Sequence, residues 1–276
     1  MALTEFGIWA SRRALGAEGT EAARLVEELG FGTLWVGGSP RLGELRPLLE
    51  ATTTLTVATS IANVWRYPAT EMAADWAELE ADFPGRALAG IGAGHAEQDE
   101  AYSRPFSAVR AYLDVLEEAG QPPPGRRMLA ALAPRMIDLA ASRAAGSIPY
   151  FVPVGHTRFS RERLGDGPLL APELACVLDE DSAHARAKAR DYARLYLGLG
   201  NYRNAVLRGG FEEADLADGG SDRLLDAVVP QGSPRQVAEL AHAHLEAGAD
   251  HVALQPVGGD GLPRAEWTAL AAELIA

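Results

Sequence analysis

One cysteine and one lysine occur in 276 residues. Cys176 has no second thiol in the chain, so a disulfide framework is excluded and a reducing, cytoplasmic setting is expected. It lies in the apolar run LACVL with no polar neighbour to activate it, which reads as a buried structural thiol rather than a nucleophile. With Lys188 as the only lysine, Schiff-base chemistry lacks a ready residue, and anions must be met by arginine or backbone N–H groups. Positive charge is scarce overall: the net charge of −13 repels nucleic acid, so no such partner is expected. No apolar run reaches membrane-spanning length, and the opening MALTEFGIWASRR lacks the apolar core of a signal peptide. The six histidines form no metal-like pattern, since His242 and His244 point to different sides of a helix, and no metal is expected. There is no Gly-x-Ser-x-Gly elbow to support a serine hydrolase.

What is present is ordinary globular composition, 47% hydrophobic and 23% charged, arranged in a repeated grammar. ARLVEELGFGTLWV (residues 23–36) is an apolar-periodic helix, a glycine stop and a short apolar run. AHLEAGADHVALQPV (residues 243–257) repeats that order, as do two stretches between them. The short runs are apolar on both faces, as parallel strands covered by helices require. Strands are expected near residues 6–9, 33–36, 56–62, 87–91, 128–132, 148–152, 170–178 and 251–256, with a last helix from about Pro263. Eight strands alternating with helices predict a (β/α)₈ TIM barrel, with a doubly wound open sheet as the rival. No linker divides the chain, so residues 1–276 are expected to form one domain, and AGQPPPGRR (residues 119–127) reads as a stiff loop before strand five.

In a barrel, function belongs to the C-terminal strand ends and the loops that follow. LAGIGAGH (residues 88–95) is one such end. It fails as a dinucleotide fingerprint, because Glu97 stands where the third glycine belongs and Asp114 lies in a helical pattern. What remains is backbone that a flat or phosphorylated ligand can approach, or simply a glycine-rich bend. SIANVWRYP (residues 60–68) ends strand three with polar and aromatic groups that either face a ligand or plug the mouth. Asn201, Tyr202, Arg203 and Asn204 follow strand seven, as a self-capping helix start or as ligand contacts. His95 and His156 are the histidines at predicted loop mouths and the two candidates for proton transfer. Strand eight delivers Gln255 to the rim.

FGIW, ELGFGTLWV, ATSIANVW and PGRALAGIGAGH, in that order, resemble the luciferase-like flavin and deazaflavin oxidoreductases. NYRNAVLRGGF, GGSDRLLDAVV and EAGADHVALQPV resemble their coenzyme F-420-dependent subgroup. The resemblance implies a barrel that binds one 8-hydroxy-5-deazaflavin, or alternatively FMN, across its C-terminal mouth, and moves a hydride to or from a small-molecule substrate. It implies a non-proline cis peptide at Ser60-Ile61, with Ala62 and Asn63 alongside, backing the central ring of the cofactor. Gly92, Ala93, Gly94 and His95 match the strand-four edge that meets the cofactor. Ala131, Leu132, Ala133 and Pro134 match the strand-five segment, where the family's Gly-Ser-Gly flavour has become ALAP and phosphate contacts fall to N–H groups at the next helix start. The family often carries an acid and a histidine after strand two, whereas this chain reads VGGSP, with Gly38 and Ser39 there. Acid-base work then moves to His95 or His156, or is not needed, or activity is lost, as in a non-catalytic cofactor-binding homologue. Trp9, Ser39, Trp65, Tyr150 and His156, with Asn201, Tyr202 and Arg203, are expected to line substrate space. Arg66, Arg104, Arg158 or Arg203 are expected to meet an acidic cofactor tail. A homodimer is expected from the family, and an FMN enzyme would need a partner reductase.

Overall fold

The computed structural model describes residues 3–97 and 100–275. Its strands are β1 (Phe6–Ser11), β2 (Thr33–Gly37), β3 (Thr56–Thr59), β4 (Ala62–Asn63), β5 (Ala87–Gly92), β6 (Arg127–Leu129), β7 (Gly146–Ser147), β8 (Leu169–Leu170), β9 (Glu173–Leu178), β10 (Gln231–Gly232) and β11 (Val252–Pro256). Every pairing is parallel, in the order β8-β7-β6-β5-β3-β2-β1-β11-β9, with helices between successive strands. The ring closes because β8 and β9 are one extended segment interrupted at Ala171-Pro172. On one side of it the Ala171 N–H donates to the Ser147 carbonyl (2.9 Å); on the other the Ala253 N–H donates to the Pro172 carbonyl (2.9 Å). The fold is therefore the (β/α)₈ barrel that the strand-helix alternation predicts, with β3–β4 as its third strand and β8–β9 as its seventh.

Two expected strands are corrected. The sixth is Gly146–Ser147, not residues 148–152. Pro149 has no N–H for the ladder, and Phe151 takes a left-handed φ of 52°. The fifth ends at Leu129, three residues early, because the chain then turns toward the helix Pro134–Arg143. β10, against β9, has no counterpart among the expected strands; at two residues it carries too little pattern to be read.

Inside the ring the side chains interlock by size. Trp9, Trp35, Ala58 and Leu88 are in register across four neighbouring strands, so a small alanine faces the indole of Trp35. The buried Trp35 Nε1–H donates to His251 Nε2 (2.9 Å), and His251 Nδ1–H donates to the Thr4 carbonyl (2.6 Å). A tryptophan, a neutral histidine and a backbone carbonyl thus tie the interior to the first and last strands.

One local irregularity shapes the mouth. Ala58 pairs with Leu88, and Ala62 pairs with Ile91, so four steps along β3–β4 match three along β5. The extra residue is a bulge, and it turns residues 59–61 inward over β5. A cis peptide joins Ser60 to Ile61 within it, where the family resemblance puts one. Gly90 lies beneath: a Cβ there would sit 1.9 Å from the Thr59 carbonyl oxygen and 2.9 Å from Ile148 Cδ1. Thr59 Oγ1–H closes the contact by donating to the Gly90 carbonyl (2.7 Å). Gly90→Ala is expected to cost at least about 1–3 kcal/mol, because backbone rather than a flexible side chain must yield. A urea midpoint equal to that of the unmutated protein would contradict it.

Candidate functional site

A cavity of about 440 Å³ opens at the C-terminal mouth of the barrel, within the range of small-molecule sites. Its walls come from the ends of β1 through β7 and from the two helices Ser182–Leu197 and Gly200–Arg208. Of the residues expected from sequence, Trp9, Ser39, Ser60, Ile61, Asn63, Arg66, Ala93, Gly94, His95, Ala131, Leu132, Ala133, Tyr150, Asn201 and Tyr202 line it.

The wall is aromatic along one arc. Trp9 meets Tyr150 at 5.4 Å between ring centroids, Tyr150 meets Tyr196 at 5.3 Å, Tyr196 meets Tyr202 at 5.1 Å, and Tyr202 meets His95 at 5.1 Å. Such contacts fix ring orientation as well as burying area. Trp9 occupies room that the glycines after strand two leave open, since a Cβ on Gly37 would fall 2.0 Å from its ring. Its indole Nε1–H donates to Ser60 Oγ (2.9 Å), which couples the arc to the bulge. At the other end the Tyr202 hydroxyl lies 3.4 Å from His95 Nε2.

Behind the arc, hydroxyls converge. Tyr150 donates to Gln255 Oε1 (2.7 Å), and its oxygen is 2.6 Å from the Tyr192 hydroxyl and 3.1 Å from that of Tyr196. Glu173 is buried against this group and accepts from the Phe151 N–H (3.1 Å), while its second carboxyl oxygen has no partner. Burial pushes its carboxyl up to about 8, and burial also raises the hydroxyls of Tyr150, Tyr192, Tyr196 and Tyr202. The tyrosines therefore act as donors, not as bases. Arg66 and Arg208 bring the fixed charge of the cavity, and no carboxylate is among its described lining residues.

Eight expected residues lie elsewhere. His156 is buried behind the wall: its Nε2–H donates to the Leu132 carbonyl (3.1 Å), and its Nδ1 accepts from Ser160 Oγ–H (3.2 Å). It supports the cavity wall through Leu132 rather than facing a ligand. Trp65 is turned away with Nε1–H donating to the Ala93 carbonyl (2.7 Å), and its N–H is capped by Asn63 Oδ1 (2.9 Å). Arg203 is drawn outward by Glu213 (2.6 Å). Ala62 pairs with Ile91 and Gly92 with Asn63 in the ladder next to the bulge, and Pro134 begins the helix at the cavity edge. Arg104 and Arg158 are exposed and outside the lining. Asn201 lies in the first turn of a helix whose start it does not cap, and it faces the cavity. Asn204, offered with Asn201 as a ligand contact, lines the cavity as well, whereas Tyr102, Met136, Leu195, Tyr196, Leu199 and Arg208 were not expected there. Met136, Leu195, Tyr196 and Arg208 lie within helices, and Tyr102 and Leu199 in the segments that lead into them, so strand-end reasoning passes over them. Among the described residues no cluster of His, Cys, Asp and Glu could hold a metal, and no helix is long and apolar enough to cross a membrane.

A parallel barrel with its cavity at the C-terminal mouth is the architecture of a barrel enzyme. The sequence matches the luciferase-like monooxygenase family over residues 1–251, and the chain belongs to that family. No curated protein matches it. Among solved structures, an F-420-dependent secondary alcohol dehydrogenase in complex with an F-420–acetone adduct is similar with a TM-score of 0.77, at 15% identity over 99% of this chain and 98% of that one. The coenzyme F-420-dependent tetrahydromethanopterin reductase from Methanopyrus kandleri reaches 0.77 at 17% identity, over 99% of both chains. A type II Baeyer-Villiger monooxygenase from a Pseudomonas putida plasmid, the oxygenating constituent of 3,6-diketocamphane monooxygenase in complex with FMN, reaches 0.70 at 15%, over 97% and 96%. At such identities the likeness to these structures is one of fold.

Buried titratable groups predict the pH profile of stability. Burial depresses His156, His244 and His251 to about 4, from an ordinary 6.5. Folded, these imidazoles refuse protons that the unfolded chain takes up, so stability falls as pH drops from 6.5 toward 4. Glu173 acts in the opposite sense. It holds its proton more tightly when folded, so stability falls as pH rises from 4.5 toward 8. In the overlap the three histidines outweigh one glutamate, which puts the maximum near pH 6.5. Glu173→Gln is expected to flatten the decline between pH 6.5 and 8, a slope of about 1.4 kcal/mol per pH unit for one proton. Thermal melts across pH check this, and an unchanged alkaline decline in the variant would refute it.

Proposed function

We propose that the chain is an oxidoreductase that binds coenzyme F-420 in this cavity and moves a hydride between it and a small organic substrate. The observation that carries the reading is electrostatic. In a chain of net charge −13, the charged side chains assigned to the cavity lining are two arginines. That is the environment for a cofactor with a phosphate and an acidic tail.

The residues present fit such a group. The bulge and β5 give a surface of backbone and small side chains, and a Cβ on Gly92 would lie 2.9 Å from Ala130 Cβ and 3.1 Å from Ile61. No side chain caps the start of the helix Pro134–Arg143. Pro134 has no N–H, and the Met136 and Ile137 N–H groups donate to the Ala133 carbonyl (2.9 and 3.0 Å), so the backbone donor left in the first turn is that of Arg135, beside Ala133 at the cavity edge. Arg208 makes no ion pair among the described residues. It would hold phosphate with the Arg135 N–H at that helix start, while the exposed Arg66 would meet the tail. When bound, the deazaflavin supplies the hydride; the protein supplies position and protons. His95 Nε2, beside the Tyr202 hydroxyl, is the group we assign to holding the proton that accompanies transfer.

Absorbance and fluorescence titration with F-420 and with FMN tests the reading. Saturable binding of the deazaflavin is expected; tight FMN binding with none of the deazaflavin would overturn it, in favour of an FMN monooxygenase served by a reductase. Arg208→Ala is expected to weaken deazaflavin binding at least tenfold, the scale of a charge-assisted contact. His95→Ala is expected to lower kcat by about 10²-fold while leaving cofactor affinity unchanged. An unaltered kcat would remove the proton-transfer role.

A further inference from the structure

We propose that the aromatic arc is a substrate subsite for an uncharged, mainly apolar molecule with one acceptor oxygen, and that Tyr196 supplies the hydrogen bond to that oxygen. This rests on the reading of the cavity as an oxidoreductase site and specifies its substrate class.

Proton counting across the tyrosines singles out Tyr196. Each phenol has one proton to give. That of Tyr150 goes to Gln255 Oε1 at 2.7 Å, which leaves its oxygen to accept from Tyr192 at 2.6 Å and from Tyr196 at 3.1 Å; Gln255 Oε1 also lies 3.4 Å from the Tyr192 hydroxyl as a second acceptor. Among O–H···O bonds 3.1 Å is long, since about 2.7–2.8 Å is usual. Tyr192 is outside the lining, whereas Tyr196 is part of it. The weakest-held proton of the network therefore belongs to the hydroxyl with access to the cavity. Swinging it to a ligand leaves Tyr150 still bonded to Tyr192 and Gln255. The Tyr196 ring itself is fixed, stacked on Phe151 at 5.0 Å and 22° and set edge-on to Tyr202.

The same wall carries no fixed charge. Trp9, Tyr150, Tyr196 and Tyr202 carry none, and Ile148, Leu195 and Leu199 add apolar area beside them. Arg66 follows β4, and Arg208 closes the last turn of the helix Gly200–Arg208, so neither belongs to the arc. An anion placed against the arc would lose hydration with no cation to replace it. A cation would be drawn by ring faces alone, without the hydrogen bond from Tyr196 and without a carboxylate, since burial holds Glu173 neutral at neutral pH.

Four one-ring probes separate these cases by ligand-observed NMR titration of the full-length protein at pH 7, with and without bound deazaflavin. They are acetophenone, ethylbenzene (which lacks the acceptor), benzoate and phenyltrimethylammonium. Acetophenone is expected to bind at least about threefold more tightly than ethylbenzene, the scale of one net hydrogen bond. It is expected to bind roughly tenfold or more tightly than benzoate, and more tightly than the ammonium ion, which has ring faces but no hydrogen bond to accept. Tyr196→Phe keeps the ring contacts and should bring acetophenone within about twofold of ethylbenzene, whereas Tyr192→Phe should preserve the preference. Equal or tighter binding of benzoate or of the ammonium ion overturns the inference. So does a preference for acetophenone that survives Tyr196→Phe, or failure of every neutral probe to bind. Failure of the cofactor reading shows separately, as absence of deazaflavin binding in the same samples.

Discussion

The close approach of the Thr59 carbonyl to Gly90 is the constraint on which the site depends. A parallel barrel keeps its strands in even register, and an even register would carry residues 59–61 straight up the wall. One extra residue opposite β5 bends them over the mouth instead, and only a residue without a Cβ fits beneath. Ser60 then reaches the Trp9 indole, Ile61 packs over Gly92, and Asn63 caps the turn that brings Arg66 to the cavity. Bulge, indole and this side of the cavity wall are thus one packed unit.

The glycines after β2 belong to the same unit. Where relatives are expected to carry an acid and a histidine, this chain has Gly38 and Ser39, and Trp9 occupies the space beside Gly37 just before them. The exchange moves polarity across the barrel. Phenols, Gln255 and a buried carboxyl gather on the side of β7, β9 and β11, while His95 and Tyr202 stand together over β5. Burial raises the affinity of these hydroxyls for their protons, so this side of the cavity donates hydrogen bonds without carrying charge. The arginines then define the remaining wall as the cationic one.

The barrel was legible because its signal is redundant. Helix, glycine stop and apolar run recur along the chain, and losing the true edges of the sixth and fifth strands does not change the count. The strand ends were legible for a related reason: Ser60–Asn63, Ala93–His95 and Ala131–Ala133 sit at positions that any barrel of this kind turns to its mouth. His156 and Trp65 were misplaced for a different one. Each has the right residue type in the right loop, but a nearby carbonyl, of Leu132 or Ala93, takes its N–H and turns the ring into the wall. Arg203 loses its place to Glu213, ten residues further on, a pairing that no periodicity signals.

Sequence by itself determined the alternation of strand and helix, the apolar faces that close a parallel ring, the family, and the excess of negative charge. These depend on local pattern and composition, which are written along the chain. Only tertiary structure decided that Tyr150, Tyr192, Tyr196 and Gln255 share one hydroxyl network, that Arg208 reaches the cavity, and that Trp9 rests on Gly37. Those contacts join residues tens to more than a hundred positions apart. Their geometry follows from strand register and from the angle of the two helices after β9, neither of which any short stretch of sequence contains.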